Sequence, residues 1–302
     1  MAERIFLVTG AYGALASRLL GLLAEQTSER VIAVARSTTS RQPLPPGIEL
    51  NPGDLCDPDL WARLPRTITH VFHLAASIPW RREQKMQSQV IIDNVWPVSH
   101  LLAQAQHWPA LQQIVYASSV SVYGWSEETL REDAPKRPVE LYGAAKLAGE
   151  DLLLAAGARV IRVASLRYSS LFGPGQYAGT VIPTMIRAAT QEGRIRIFGE
   201  GQRSQDFLHY DEAARAALLA CQRRAEGVFN IGSGNAVSMT ELAGLIREVF
   251  TANRAEIFHD RNVSEGEPGF RIDISKARTE LAFNPGRDLR HGLMQLKQAS
   301  ER

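Results

Sequence analysis

The sequence predicts an α/β fold: a doubly wound parallel sheet followed by a smaller C-terminal α/β unit. Three observations carry this expectation. Short β-rich runs alternate with longer helical stretches through the first half of the chain, as in βαβ units that build a parallel sheet. A glycine-containing turn stands directly between the first strand and the first helix. Beyond Phe172 the alternation gives way to a mixed, Gly-rich stretch.

Ile5–Thr9 is an apolar run and reads as the first strand. Gly13–Glu25 reads as a helix because Leu15, Leu19, Leu22 and Leu23 form an apolar stripe. Val31–Ala35 is a second strand, and Pro43, Pro45, Pro46 and Gly47 mark a loop before Ile48–Leu50. His70–Leu74 and Gln113–Ser118 are further strands, with a helical Val98–Gln106 between them. Tyr142–Ala156 is helical by composition, and Val160–Leu166 follows as a strand. After the turn Gly173-Pro174-Gly175, Val181–Glu192 is helical. Asp211–Gln222 and Val228–Ile231 read as one more helix–strand pair that rejoins the sheet. The expected division is 1–172 for the sheet and 173–302 for the smaller unit, with about 210–232 returning to the first.

Composition narrows the function. With 302 residues, 45% hydrophobic and 22% charged, the chain has the make-up of a globular protein. A net charge of +2 without a Lys/Arg run gives little support to nucleic-acid binding. The apolar run Ile5–Val8 is too short for a signal segment, and no stretch approaches bilayer length. Cys56 and Cys221 fit neither a disulfide framework nor metal-ligand spacing, so a reducing cytoplasm is expected. Cys56 is placed to approach a cofactor, although an inert thiol is the better reading. His70, His73 and His209 are scattered and imply no metal.

The turn after the first strand reads Thr9-Gly10-Ala11-Tyr12-Gly13-Ala14-Leu15-Ala16. Gly10 permits a tight turn and Gly13 a close backbone approach, while free N–H groups at the helix start suit a pyrophosphate. Strand, glycine turn and helix together point to a Rossmann-type dinucleotide site. In NAD-selective sites an acidic residue ends the second strand; here Ala35 is followed by Arg36 and Ser37. An Arg there can pair with a ribose 2′-phosphate, so NADP is the expected preference and NAD the alternative. The other reading of Arg36 is a solvated surface residue.

Tyr142-Gly-Ala-Ala-Lys146 places a phenol and an ammonium on one helix face. A nearby ammonium and a positive nicotinamide ring favour the phenolate, letting Tyr142 move a hydroxyl proton as hydride moves. Upstream, Ser118, Ser119 and Ser121 end a strand at the sheet edge where such folds hold ligands, and a serine there can hydrogen-bond the reacting oxygen.

These pieces do not stand alone. The sequence resembles the extended short-chain dehydrogenase/reductases of the NAD-dependent epimerase/dehydratase family over nearly its whole length. The matching segments occur in order: Gly10 to Ala16, Gly53-Asp54-Leu55, His73-Leu74-Ala75-Ala76, Asn94, the Ser119 strand and Tyr142/Lys146. Leu166-Arg167-Tyr168, Phe172 to Gly175, Asp206 to His209 and Phe229 to Gly232 complete them. The resemblance implies that Ser119, Tyr142 and Lys146 are catalytic. It implies that Gly10, Tyr12, Gly13, Ala14, Leu15, Asp54, Leu55, Leu74, Ala75, Ala76 and Tyr168 border the dinucleotide. Lys146 would hold the nicotinamide ribose, and Asn94 would either act on the cofactor indirectly or cap local structure.

The departures bear on the substrate. Val120 and Ser121 stand where family dehydratases carry acidic residues, which disfavours a 4,6-dehydratase. Members acting on nucleotide sugars often have Asn in the segment Tyr168-Ser169-Ser170 and Arg where this chain has Gln205. Arg203 either replaces that charge or is a solvated loop residue, and Glu265-Gly-Glu-Pro-Gly269 is acidic where a later Arg is common, with Arg271 the nearest candidate. Ile78-Pro79-Trp80-Arg81-Arg82 either overhangs the substrate, with Trp80 stacking on a ring and Arg81 or Arg82 meeting an anion, or is a solvated basic loop with a partly buried Trp. The expected substrate residues are Trp80, Ser119, Ser170 and Arg203.

Three functions remain open: an epimerase of a sugar or sugar nucleotide, an NADP-dependent ketone reductase of secondary or deoxysugar metabolism, and a non-catalytic dinucleotide-sensing protein. The intact Ser–Tyr–Lys set argues against the last. The resemblance also implies a homodimer through the helices at Val98–Gln106 and Tyr142–Ala156.

Overall fold

The computed structural model describes residues 4–38, 43–79, 82–84, 87–157 and 161–301. Its strands are β1 (Ile5–Thr9), β2 (Arg30–Ala35), β3 (Ile48–Pro52), β4 (His70–His73), β5 (Gln113–Ser119), β6 (Thr129–Leu130) and β7 (Arg162–Tyr168). They continue as β8 (Ser170–Phe172), β9 (Arg194–Phe198), β10 (Ser204–His209), β11 (Gly227–Ile231), β12 (Ala236–Ser238), β13 (Glu256–Asp260) and β14 (Arg271–Ile272). Seven of them form one sheet in the order β11-β7-β5-β4-β1-β2-β3, and every neighbouring pair is parallel.

The order explains where a ligand can sit. The chain builds outward from β1 to β3, then crosses back to place β4 on the other side of β1. Loops leaving β1 and β4 therefore diverge, and a crevice opens at the carboxyl ends of the strands.

The helices are α1 (Ala14–Gln26), α2 (Pro58–Arg63), α3 (Gln89–Ala105), α4 (Leu141–Gly157), α5 (Val181–Arg187), α6 (Tyr210–Gln222), α7 (Met239–Thr251), α8 (Ser275–Leu281) and α9 (Leu289–Ser300). The interior strands β1 and β2 are near-continuous buried apolar runs because both faces of the sheet are covered, while edge strand β3 is partly exposed. Alternate residues serve opposite faces: Phe6, Val8 and Phe72 pack with Leu19 of α1 and Ala217 of α6. Leu7, Ile32 and Val71 pack with Val98 and Leu101 of α3. A separate core of Ile182, Met185, Ile195, Phe207, Leu242 and Ile246 lies in the C-terminal part. There β8, β10 and β12 pair, as do β9 and β13.

The structure corrects three boundaries. The helix expected at Val98–Gln106 begins at Gln89 and carries Pro97 in its interior; the missing N–H that reads as a stop is here absorbed within a long helix. The helix expected at Val181–Glu192 is α-helical only to Arg187, then widens to a π turn that ends on left-handed Gly193. The strand expected from Val160 runs from Arg162 to Tyr168, and Val160 itself lies outside the described residues. No helix among the described residues is long and apolar enough to cross a membrane.

Candidate active site

A cavity of about 1140 Å³ lies along the carboxyl edge of the sheet. At one end is the glycine turn. Gly10 has φ +76°, and a Cβ there would stand 2.8 Å from the Ala75 backbone, so only glycine lets the β1 and β4 exits approach this closely. Thr9 holds them together, its Oγ1 accepting the N–H groups of Leu74 at 3.1 Å and Ala75 at 3.2 Å. Gly13 caps α1 without a side-chain bond, and no acidic residue occupies the first turn. The first N–H groups of the helix are thus left for a ligand, at the positive end of its dipole.

The wall beside this turn is formed by Tyr12, Ala14 and Leu15, then by Arg36 and Ser37 after β2. Asp54 and Leu55 follow β3, and Leu74, Ala75 and Ala76 follow β4. Every one of these was expected at the dinucleotide. Asn94 is buried on α3 and does not itself line the cavity. Its amide grips the Ser77 backbone at 3.2 and 2.9 Å, so it acts on the lining loop from behind. Cys56 does line the cavity. Burial, followed by the charges of Asp54 and Asp93, pushes its thiol up to about 11, which makes it an unreactive one.

At the other end stand Ser119, Tyr142 and Lys146. Ser119 ends β5, accepts the Ser121 N–H at 3.1 Å and donates to the Ser121 hydroxyl at 3.0 Å. Gly143 brings α4 against this turn, since a Cβ there would overlap the Ser121 carbonyl. Tyr142 and Lys146 are one helical turn apart on that helix. Lys146 is 1% exposed; its Nζ donates to the Ala117 carbonyl at 2.8 Å and lies 4.9 Å from the Tyr116 ring centroid. Burial lowers its pKa to about 7, against the raising effect of Glu150. Burial also pushes the Tyr142 phenol up rather than down. The lowering expected from the sequence thus needs a further positive charge beside the ring. Beneath them, Glu150 forms a buried pair with Arg167 at 2.7 Å.

Tyr168 lines the cavity, but its hydroxyl donates away from it to the Ala213 carbonyl at 3.1 Å. Of the expected substrate residues, Ser119, Ser170 and Arg203 share the cavity, while Trp80 lies outside the described residues. Ser170 is hydrogen-bonded by the Gln205 amide. The sequence reading missed Glu140, Gln176, Tyr177, Thr180 and Phe270, all of which line the cavity. The turn at Gly173 hinted at three of these, but nothing in a single sequence tells which loop residues face inward.

The comparisons place this geometry among known proteins. The model of the "NAD dependent epimerase/dehydratase family" matches residues 6–232. A dTDP-glucose 4,6-dehydratase of Streptomyces griseus is 31% identical, over 80% of this chain and 74% of its own. A putative UDP-glucose 4-epimerase of Methanocaldococcus jannaschii is 30% identical, over 96% of each chain. The solved structure of MoeE5 in complex with UDP-glucose and NAD superposes with a TM-score of 0.82 at 32% identity, covering 98% of both chains. On the sheet order, the glycine turn, the Ser119, Tyr142 and Lys146 set and this match over most of its length, the chain belongs to the NAD-dependent epimerase/dehydratase family.

Proposed function

We propose that this chain is an NAD(P)-dependent epimerase acting at a carbinol of a sugar-nucleotide substrate. The observation that carries the reading is that Ser119, Tyr142 and Lys146 share one cavity with the Gly10–Ala75 cradle. The cradle fits a dinucleotide: a glycine pressed on the opposing backbone, an uncapped helix start and a cavity that runs from there to the Ser–Tyr–Lys set. Bound NAD would supply the hydride acceptor and the positive ring charge. Tyr142 takes the hydroxyl proton at its phenol oxygen and returns it in the reverse direction. Ser119 hydrogen-bonds the reacting oxygen, and Lys146 holds the ribose while its charge favours the phenolate. Ser170 and Arg203 bind the substrate beyond them.

NAD is the cofactor named with MoeE5 and in the family's own description. One observation favours a second reading, an NADP-dependent ketone reductase: Arg36 and Ser37 line the cavity at the end of β2, with no carboxylate in that position. Purifying the protein without added nucleotide and identifying what denaturation releases separates the two. Retained NAD(H), with UDP-glucose and UDP-galactose interconverted and no added cofactor consumed, supports the epimerase. An empty protein that prefers NADPH and consumes it with a ketone overturns it. The homodimer reading rests on α3 and α4, which pack together and leave Trp96 and Leu152 exposed; a monomer by light scattering would remove it.

A further inference from the structure

Arg203 is a half-buried cation in the cavity wall, and among the described residues its guanidinium has no hydrogen-bond or salt-bridge partner. The arginines around it are satisfied: Arg261 pairs with Glu200 at 2.7 Å, and Arg271 donates to Ser204 at 2.8 Å. Arg203 also stands one residue before β10 begins. Arg203 lies in the preceding loop, where its carbonyl accepts the Met239 N–H at 3.0 Å, and a further constraint is needed to keep its charge in place. Two positions on, the neutral Gln205 faces the same cavity and is bonded to Ser170, so the charge on this strand face sits at 203 instead.

Glu265 supplies a constraint of the required kind. Its two carboxylate oxygens accept the N–H of Glu200 at 2.8 Å and the N–H of Arg203 at 2.6 Å. Burial acts to raise this carboxyl, but backbone N–H groups of Arg203, Gln202, Glu200 and Gly201 outweigh it and hold it below the usual range. Successive N–H groups gathered by left-handed glycines form a nest for an anion, and Gly199 and Gly201 have φ +59° and +71°. The nest is filled by the chain's own carboxylate. The segment is pressed home at its other end too, because Gly269 lies so close to the Ser204 carbonyl that a Cβ would stand 1.5 Å from it. The acidic stretch at 265–269, which has no place for an arginine, therefore works as a lace along the substrate loop.

We propose that Glu265 is a positioning residue for substrate binding: its carboxylate locks the loop at 199–203 so that Arg203 offers its charge to the diphosphate of the substrate. This inference rests on the sugar-nucleotide reading above. The carboxylate makes its hydrogen bonds to backbone N–H groups, so although its charge acts on Arg203, it makes no hydrogen bond to the guanidinium. The guanidinium stays available for the bidentate contacts that phosphate oxygens accept.

The test uses the full-length holoenzyme, with UDP and uridine as probes in calorimetric titration and UDP-glucose in turnover. Arg203→Ala should weaken UDP binding by about thirtyfold or more, the scale of losing one partner of a buried charge contact, with uridine binding changed less than about threefold. Glu265→Gln should weaken UDP binding by about tenfold and raise KM more than it lowers kcat. In the Arg203→Ala background it should add nothing, because the locked group is gone. Glu265→Asp, the conservative variant, should recover part of the loss and guards against a Glu265→Gln protein that fails to fold. Equal losses for UDP and uridine, additive losses in the double variant, or a fall in kcat at unchanged KM would overturn the assignment. A wild-type holoenzyme that ignores UDP would overturn the sugar-nucleotide reading itself, and with it this inference.

Discussion

Replacing Arg167 by methionine should destabilise the fold far more than a surface arginine would. Arg167 and Glu150 are each 1% exposed, and the guanidinium grips the carboxylate through Nη2 at 2.7 Å and Nε at 3.0 Å. Removing one partner of such a pair strands a buried charge, at a cost of about 3–5 kcal/mol. Arg167 Nη1 also donates to the Tyr123 hydroxyl at 2.7 Å and the Glu132 carbonyl at 3.0 Å, adding about 1 kcal/mol of unmade bonds. At about 2.1 cal/mol/K per residue, a 302-residue chain has an unfolding entropy of about 0.6 kcal/mol/K, so a loss of about 5 kcal/mol lowers Tm by about 8 °C. Scanning calorimetry on Arg167→Met, Glu150→Met and the double variant checks the reasoning. The double variant has no stranded charge and should lie within about 2 kcal/mol of wild type. Singles that cost under 1 kcal/mol, or a double as unstable as their sum, would refute the argument. Glu150 lies one helical turn beyond Lys146 on α4, so the same single variants should also slow turnover.

Tyr142→Phe should lower turnover by about 10²- to 10⁴-fold while NAD(H) affinity, read by fluorescence titration, stays within a few-fold; unimpaired turnover would remove the mechanism. Gly10→Ala forces a Cβ to within 2.8 Å of the Ala75 backbone at φ +76°, and the protein should purify without bound dinucleotide. His70 and His73 are buried and held neutral, burial lowering them to about 4 and about 3. The unfolded chain binds their protons first as pH drops, so the stability they contribute is lost below pH 6.5. The loss is about 1.4 kcal/mol per histidine per pH unit down to their folded values. A flat urea-unfolding profile between pH 7 and 5 would contradict this.

The sheet was legible because its strands are short apolar runs broken by helices, and β1, β2, β4 and β5 all fall within a residue or two of their expected ends. The cofactor turn was legible because Gly10, Gly13 and Ala16 occupy fixed offsets from a strand. In the C-terminal half α6 and β11 were legible to within a residue, but the short strands around them were not. Strands β12 and β14 have three and two residues, too few for any period to emerge. The start of α3 was hidden by Pro97, whose stop signal was stronger than the pattern before it. Site residues were readable where a reaction demands a chemical type, as at Tyr142 and Lys146. They were not readable where only a shape is required: Tyr177 and Phe270 line one cavity although 93 positions separate them.

The edge of the central sheet belongs to β11, which pairs with β7 over five positions and arrives only after the chain has made β8, β9 and β10 elsewhere. Cutting the chain near residue 172 would strip β7 of that neighbour and leave a row of unsatisfied backbone groups open to other chains. The first 172 residues expressed alone should therefore aggregate rather than bind dinucleotide. Recombination meets the same constraint: the part from residue 173 onward cannot be exchanged as one cassette. It must be transplanted as two inserts, one on each side of the α6–β11 return, whose ends already lie on the recipient's sheet.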